Sequence, residues 1–248
     1  MIFKIFGLII LLCFYGTYFI KMFLQKRQGI KTNHLGKGKH GLEKVIEISI
    51  SVASILVPVV EVFSIFIVCT NLNIGEWLRY LGLFFGICGL VFFIISVVTM
   101  KNNWRAGISE SEKTELVTNG IYKISRNPAF LGFDLVYICF VLMFFNWILF
   151  AISFITILIF HLQITKVEEP FLIKTFGTEY ENYKKAFADI LGKRLVDRII
   201  FAHFSKTFLK FKIWFYHKME KEESSILKNY DGIGLGFVDG ELIVVYRK

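Results

Sequence analysis

Five apolar runs, at residues 2–24, 45–70, 77–100, 129–145 and 147–165, constrain this chain more than any other feature. Runs near 20 residues are long enough to cross the hydrocarbon core of a bilayer as helices. With 55% hydrophobic residues and 28 Phe in 248, the chain carries more apolar surface than a soluble domain of this length needs. The expectation is an all-α integral membrane protein with about five transmembrane helices. The last two runs are separated only around Asn146, a link so short that it demands an antiparallel helical hairpin. The first run lacks a small-residue cleavage site, with Tyr15, Tyr18 and Phe19 where one would lie, so it reads as a retained helix.

Charge sets the orientation. The loops at 21–44 and 101–127 are basic, whereas Asn71 to Glu76 carries no Lys or Arg. Lys and Arg collect on the cytoplasmic side, so five spans place the N-terminus outside and the 101–127 segment and C-terminal region in the cytoplasm. The net charge of +9 then faces anionic lipid. No zinc-finger spacing or RNA-binding signature is present, so nucleic acid is not an expected partner. Cys13, Cys69, Cys88 and Cys139 lie singly within or at the ends of apolar runs and read as small core residues rather than disulfides or metal ligands. No metal site is expected, since the histidines show no ligand spacing.

Three regions follow: 1–75, N-terminal helices with a basic loop; 76–187, a membrane core; and 188–248, a divergent cytoplasmic tail. Glu168 to Lys185 reads as a helix with a turn at Gly177. Residues 195–218 mix aromatic and basic side chains as an interfacial amphipathic helix does, or as a helix packed on the protein's own cytoplasmic face. Residues 233–246, with Asp239-Gly240 between β-prone runs, read as a short β-hairpin.

Chemistry concentrates in Leu116 to Gly132. A turn at Asn119-Gly120 precedes Tyr122, Arg126 and the Asn127-Pro128 break. Proline lacks an N–H and disfavours helix at the residue before it, so a new helix starts there. Helix starts present N–H groups and partial positive charge to polar or anionic ligands. Glu168 and Glu169 close the last run, and five-span topology returns Glu168 to the face that holds Tyr122, Arg126 and Asn127. An aromatic, a cation and a carboxylate beside a lipid-embedded cavity suit a ligand with an aromatic base, a carboxylate and a positive charge. S-adenosylmethionine has all three.

The run L-V-x-x-G-I-Y-x-x-x-R-N-P-x-F-x-G, followed one helical hairpin later by E-E-x-x-L-x-x-x-F-G-x-E-Y-x-x-Y, resembles the isoprenylcysteine carboxyl methyltransferase family. That family belongs to a broader group of membrane phospholipid and thiol methyltransferases. The segment Trp104 to Ile108 is also similar to bacterial members, and the resemblance covers residues 76–187. It implies an S-adenosylmethionine pocket contacted by Glu115, Leu116, Val117, Tyr122, Asn127, Pro128, Ala129 and Phe130, with Glu168 reaching in from the opposite wall. Tyr122 and Phe130 would pack on adenine or the sulfonium, Glu168 would hold the ammonium, and Arg126 would partner Glu168 or a carboxylate.

The resemblance implies methyl transfer to a lipophilic acceptor from the bilayer, with Arg126 and Glu168 as the candidate catalytic pair. Two positions depart from the family pattern. Asn127 stands where His is usual, and Ile164 stands where an Arg contacts the acceptor one turn before the first Glu. Phospholipid and thiol acceptors therefore stay open beside prenylcysteine, as do an NADPH-dependent membrane reductase and a non-catalytic membrane protein. Outside these motifs, Glu61 and Asp134 lie within apolar runs, where a charge is expensive and often functional. Glu61 is alternatively protonated or within reach of the outer interface, and Asp134 a helix-start carboxylate. His161 reads as a helix-packing residue.

Overall fold

The computed structural model describes residues 2–66, 75–108, 114–191, 233–238 and 241–246, with backbone alone for 187–191 and both strands. It divides into two units, Met1–Phe187 and Ala188–Lys248. The first is a helical membrane body. Helices α1 (Ile2–Arg27), α2 (Gly41–Phe66) and α3 (Glu76–Met100) are followed by a loop with two short 3₁₀ turns. Then come α4 (Pro128–Met143), α5 (Trp147–Gln163), a π-helical turn over Ile164–Glu168, α6 (Glu169–Phe176) and α7 (Thr178–Leu191).

Among the described residues, four stretches are long and apolar enough to cross a membrane: Ile2–Arg27, Gly41–Phe66, Glu76–Asn103 and Trp147–Phe176. The fifth expected span, α4, has 16 residues, about 24 Å at 1.5 Å per residue against a hydrocarbon core of about 30 Å. Its limits have local causes. Asn127, held at φ −131° and ψ 60° before Pro128, cannot continue a helix backwards. At the other end Asn146 Oδ1 accepts from Leu149 N–H at 2.8 Å and caps α5, so the chain must leave α4 first.

Lipid tails are as apolar as leucine, so these helices associate through close packing rather than burial from water. The tightest contact is α3 against α4. A Cβ on Gly89 would lie 2.8 Å from Gly132 O, and one on Gly132 would lie 2.9 Å from Gly89 O. The two backbones touch. Phe14 of α1 seals the seam, its ring 4.5 Å from Phe93 and 4.8 Å from Phe133. Large side chains such as Leu12, Ile55, Val98 and Ile148 stay exposed on the rim of the bundle, as lipid-facing residues do.

Two ends of the bundle are defined by hydrogen bonds. At one end Asn146 Nδ2 donates to Ser64 Oγ at 2.8 Å, joining the end of α2 to the α4–α5 turn. At the other, the two basic loops pair with each other. His34 N–H donates to Ala106 O at 2.8 Å, and Ala106 N–H donates to Thr32 O at 2.9 Å. Gly107 has φ +80°, and a Cβ there would lie 2.8 Å from Leu35 N, so this crossing needs glycine twice over. Buried Gln25 ties the knot: it donates to Trp104 O at 3.0 Å and accepts from Thr32 Oγ1 at 3.0 Å.

In the second unit, β1 (Ile233–Val238) pairs antiparallel with β2 (Glu241–Tyr246), from Ile233 with Tyr246 to Val238 with Glu241. The hairpin expected around Asp239-Gly240 thus has two paired strands. The amphipathic helix expected at 195–218 lies outside the described residues.

Candidate functional site

Below the paired loops lies a cavity of about 580 Å³, well within the size range of small-molecule sites. The loop that the sequence singles out forms one wall. Glu115, Leu116 and Val117 run along it without regular secondary structure, with Glu115 N–H near Asn103 Oδ1 at 3.4 Å. A 3₁₀ turn over Gly120–Lys123 then presents Tyr122 to the cavity. The Tyr122 hydroxyl is 2.8 Å from Ser96 Oγ of α3, a buried pair. Arg126, Asn127, Ala129 and Phe130 continue the wall into α4. Asn127 makes no side-chain cap on its own helix. Pro128 is buried as the first residue of α4 and does not line the cavity. Its place is in starting the helix.

The opposite wall comes from the end of α5 and the π turn. Glu168 and Gln163 both line the cavity. In the π turn each N–H reaches back five residues, as Glu169 N–H does to Ile164 O, so residues five apart share a face. Gln163 therefore stands on the face of Glu168, while Ile164 does not line the cavity. Gln163 is buried, its amide beside the Glu168 carboxylate and its carbonyl oxygen without a hydrogen-bond partner. An unsatisfied buried amide oxygen in a cavity wall points to a polar ligand.

The third wall is α6 and α7, which supply Phe176, Tyr180 and Tyr183. The Tyr183 hydroxyl donates to Tyr122 O at 2.5 Å. Arg126 Nη1 pairs with Glu169 Oε1 at 2.7 Å, and Lys184 Nζ binds the other oxygen of the same carboxylate at 2.7 Å. The adjacent glutamates thus divide their tasks: Glu168 faces the cavity and Glu169 fastens α7 to the 101–127 loop. Burial pushes the Tyr122 and Tyr183 hydroxyls up to about 12, with Ser96 opposing it at Tyr122. The Tyr180 hydroxyl is raised as well, chiefly by burial. These three groups are neutral at physiological pH and act as hydrogen-bonding phenols.

The cavity continues away from this polar end into the bundle. Phe133, Tyr137 and Phe160 line its deeper part, and α1 and α2 close it with Tyr15, Tyr18, Met22, Ile50 and Ser51. Phe19 and Ile55 also line it, yet they are 62% and 68% exposed on the lipid-facing surface. The cavity therefore opens between α1 and α2 toward the surroundings of the bundle. None of these N-terminal residues was marked as functional in the sequence, because each looks like an ordinary apolar or small residue within a span. The nearest signal was Glu61 of α2, which does not line the cavity itself but accepts a hydrogen bond from Tyr15, which does. Asp134 and His161 do not line the cavity.

Residues 77–179 match the family model described as phospholipid methyltransferase. The match begins in α3, takes in the whole loop wall, α4, α5 and the π turn, and ends in α7; α1 and α2 lie outside it. No curated protein matches the chain. An integral membrane body whose core matches this family supports a membrane methyltransferase of that broader group.

Proposed function

We propose that the protein is an S-adenosylmethionine-dependent methyltransferase that acts on a lipophilic acceptor entering from the bilayer. One observation carries the reading: a single cavity is lined by Glu115, Leu116, Val117, Tyr122, Asn127, Ala129 and Phe130 on one side and Glu168 on the other. These are chemically suited to the cofactor. Glu168 would hold its ammonium, the amide oxygen of Gln163 and the side chain of Asn127 would meet polar edges, and Phe130 would lie against the adenine or the sulfonium.

When bound, the cofactor supplies a methyl group made electrophilic by the sulfonium. The protein's part is orientation and the exclusion of water, with no covalent enzyme intermediate. Tyr180 and Tyr183 cover the polar end, and Arg126 with Glu169 holds that cover in place. Arg126 thus positions the wall around the reacting groups. The apolar arm between α1 and α2 would admit the acceptor's hydrocarbon. In this reading the paired basic loops face the cytoplasm and the N-terminus lies outside.

The cavity wall gives no preference to a carboxylate acceptor. A prenylcysteine carboxylate would seek a cation on the face before Glu168, and that face carries the neutral Gln163. Phospholipid and thiol acceptors fit this wall as well as the carboxylate does.

Purified protein is expected to bind S-adenosylmethionine or its demethylated product in calorimetry. Glu168→Ala should weaken that affinity about tenfold or more, the loss of a hydrogen bond to a charged group. A folded protein that binds neither would end the proposal. Transfer of a labelled methyl group into a total lipid extract would then identify the acceptor.

A further inference from the structure

Glu61 is fully buried on α2 and accepts a hydrogen bond from the Tyr15 hydroxyl of α1 at 2.9 Å through Oε2. Its other oxygen, Oε1, has no hydrogen-bond partner. A carboxylic group inside a membrane bundle is costly, and one phenol leaves half of it unsatisfied. Joining helices does not require it. The same bundle joins α2 to the α4–α5 turn with the neutral pair Ser64 and Asn146 at 2.8 Å.

The arrangement is better matched to a ligand. Tyr15 lines the cavity, and so does Tyr137 of α4, whose phenol adjoins that of Tyr15. Tyr15 points its hydrogen at Glu61, and the Tyr137 phenol interacts with its oxygen, which leaves that oxygen one lone pair to accept with. A hydroxyl that has donated inward can only accept from a group on its other side. Tyr137 lies seven residues beyond Phe130 on α4, about 10 Å further along the helix axis. This polar patch is therefore remote from the cofactor end and sits in the apolar arm.

We infer that Tyr15 and Tyr137, with Glu61 behind them orienting the Tyr15 hydroxyl, form a second polar seat, which binds an O–H or N–H donor carried on the hydrocarbon of the acceptor. The inference rests on the reading of this cavity as the site of a lipophilic acceptor. It adds that the acceptor has a hydrogen-bond donor about two helical turns from the group that is methylated. Tyr15 and Glu61 lie outside the part of the chain that matches the methyltransferase family, so this seat would set the protein's own specificity.

The test uses the full chain in phosphatidylcholine nanodiscs and three photoreactive dodecyl probes, each with a mid-chain diazirine. They end in a hydroxyl, a primary amine or a methyl group. The hydroxyl or the amine probe should label peptides containing Tyr15 and Tyr137 about tenfold more than the methyl probe, the ratio one hydrogen bond supports. Which of the two does so identifies the donor. Tyr15→Phe and Glu61→Gln should each abolish the excess, with folding checked by thermal melting. If Glu61→Gln does not fold, Tyr15→Phe alone decides the matter. Equal labelling of wild type by all three probes, or an excess that survives substitution, overturns the seat alone. Absence of labelling by every probe overturns the seat and the lipophilic-acceptor reading together.

Discussion

Tyr122 is used at both ends. Its hydroxyl meets Ser96 of α3 at 2.8 Å, and its backbone carbonyl receives the Tyr183 hydroxyl at 2.5 Å. A phenol whose folded value is raised to about 12 favours the neutral form. In the unfolded chain the same group ionises near 10. Between these values only the unfolded state has lost its proton, so the contribution is complete below about pH 10 and falls as pH rises toward about 12. Denaturation measured across that window should show the loss, and Tyr122→Phe with Tyr183→Phe should flatten it. Below pH 9 these tyrosines should add no pH dependence to cofactor binding. Tyr122 and Glu168 were legible in the sequence because each sits in a punctuated motif. Gln163 was not, since the π turn that brings it onto the face of Glu168 has no mark in the residues I-T-K-V-E.

Among the elements, α3 and α4 carry the body of the fold. With Gly89 and Gly132 backbone to backbone, no side chain can yield when one is enlarged. Gly132→Val should cost about 1–3 kcal/mol or more, the range for overpacking a tight interface, and should lower the melting temperature. Gly16→Val, on α1 with open space around it, is the control and should change little. The helices themselves were readable from their apolar runs. Their ends depended on single residues, Pro128 and Asn146 for α4, and α4 stops two residues before the apolar run does. Which helix α3 packs against is tertiary information.

At the level of the molecule, the pairing of residues 32–34 with 104–106 puts both basic loops at one end of the bundle. The charge pattern had already assigned them to one side of the membrane, while the contact between them came only with the fold. Cysteines introduced at Gly38 and Lys123 should therefore react with a membrane-impermeant maleimide from the same side, the cytoplasmic one in the orientation proposed. Reaction from opposite sides would overturn that topology. The N-terminal arm of the cavity stayed hidden for a related reason. Tyr15, Ser51 and Ile55 are far from the motifs in sequence and reach them only through the packing of α1 and α2 on the core.

The Arg126–Glu169–Lys184 cluster has a kinetic consequence. Its members are partly exposed, with Lys184 at 43% and Glu169 at 15% of their side-chain surface, so dissolved ions reach them. Screening weakens such pairs as the Debye length falls from about 10 Å at 0.1 M to about 3 Å at 1 M. If this clasp holds the third wall closed over a bound molecule, salt should shorten the molecule's residence time in the cavity. Stopped-flow release of the demethylated cofactor should then accelerate with ionic strength in the wild type. In Glu169→Gln it should already be fast and nearly indifferent to salt, so ionic strength would govern turnover from a point on the protein that never touches the methyl group.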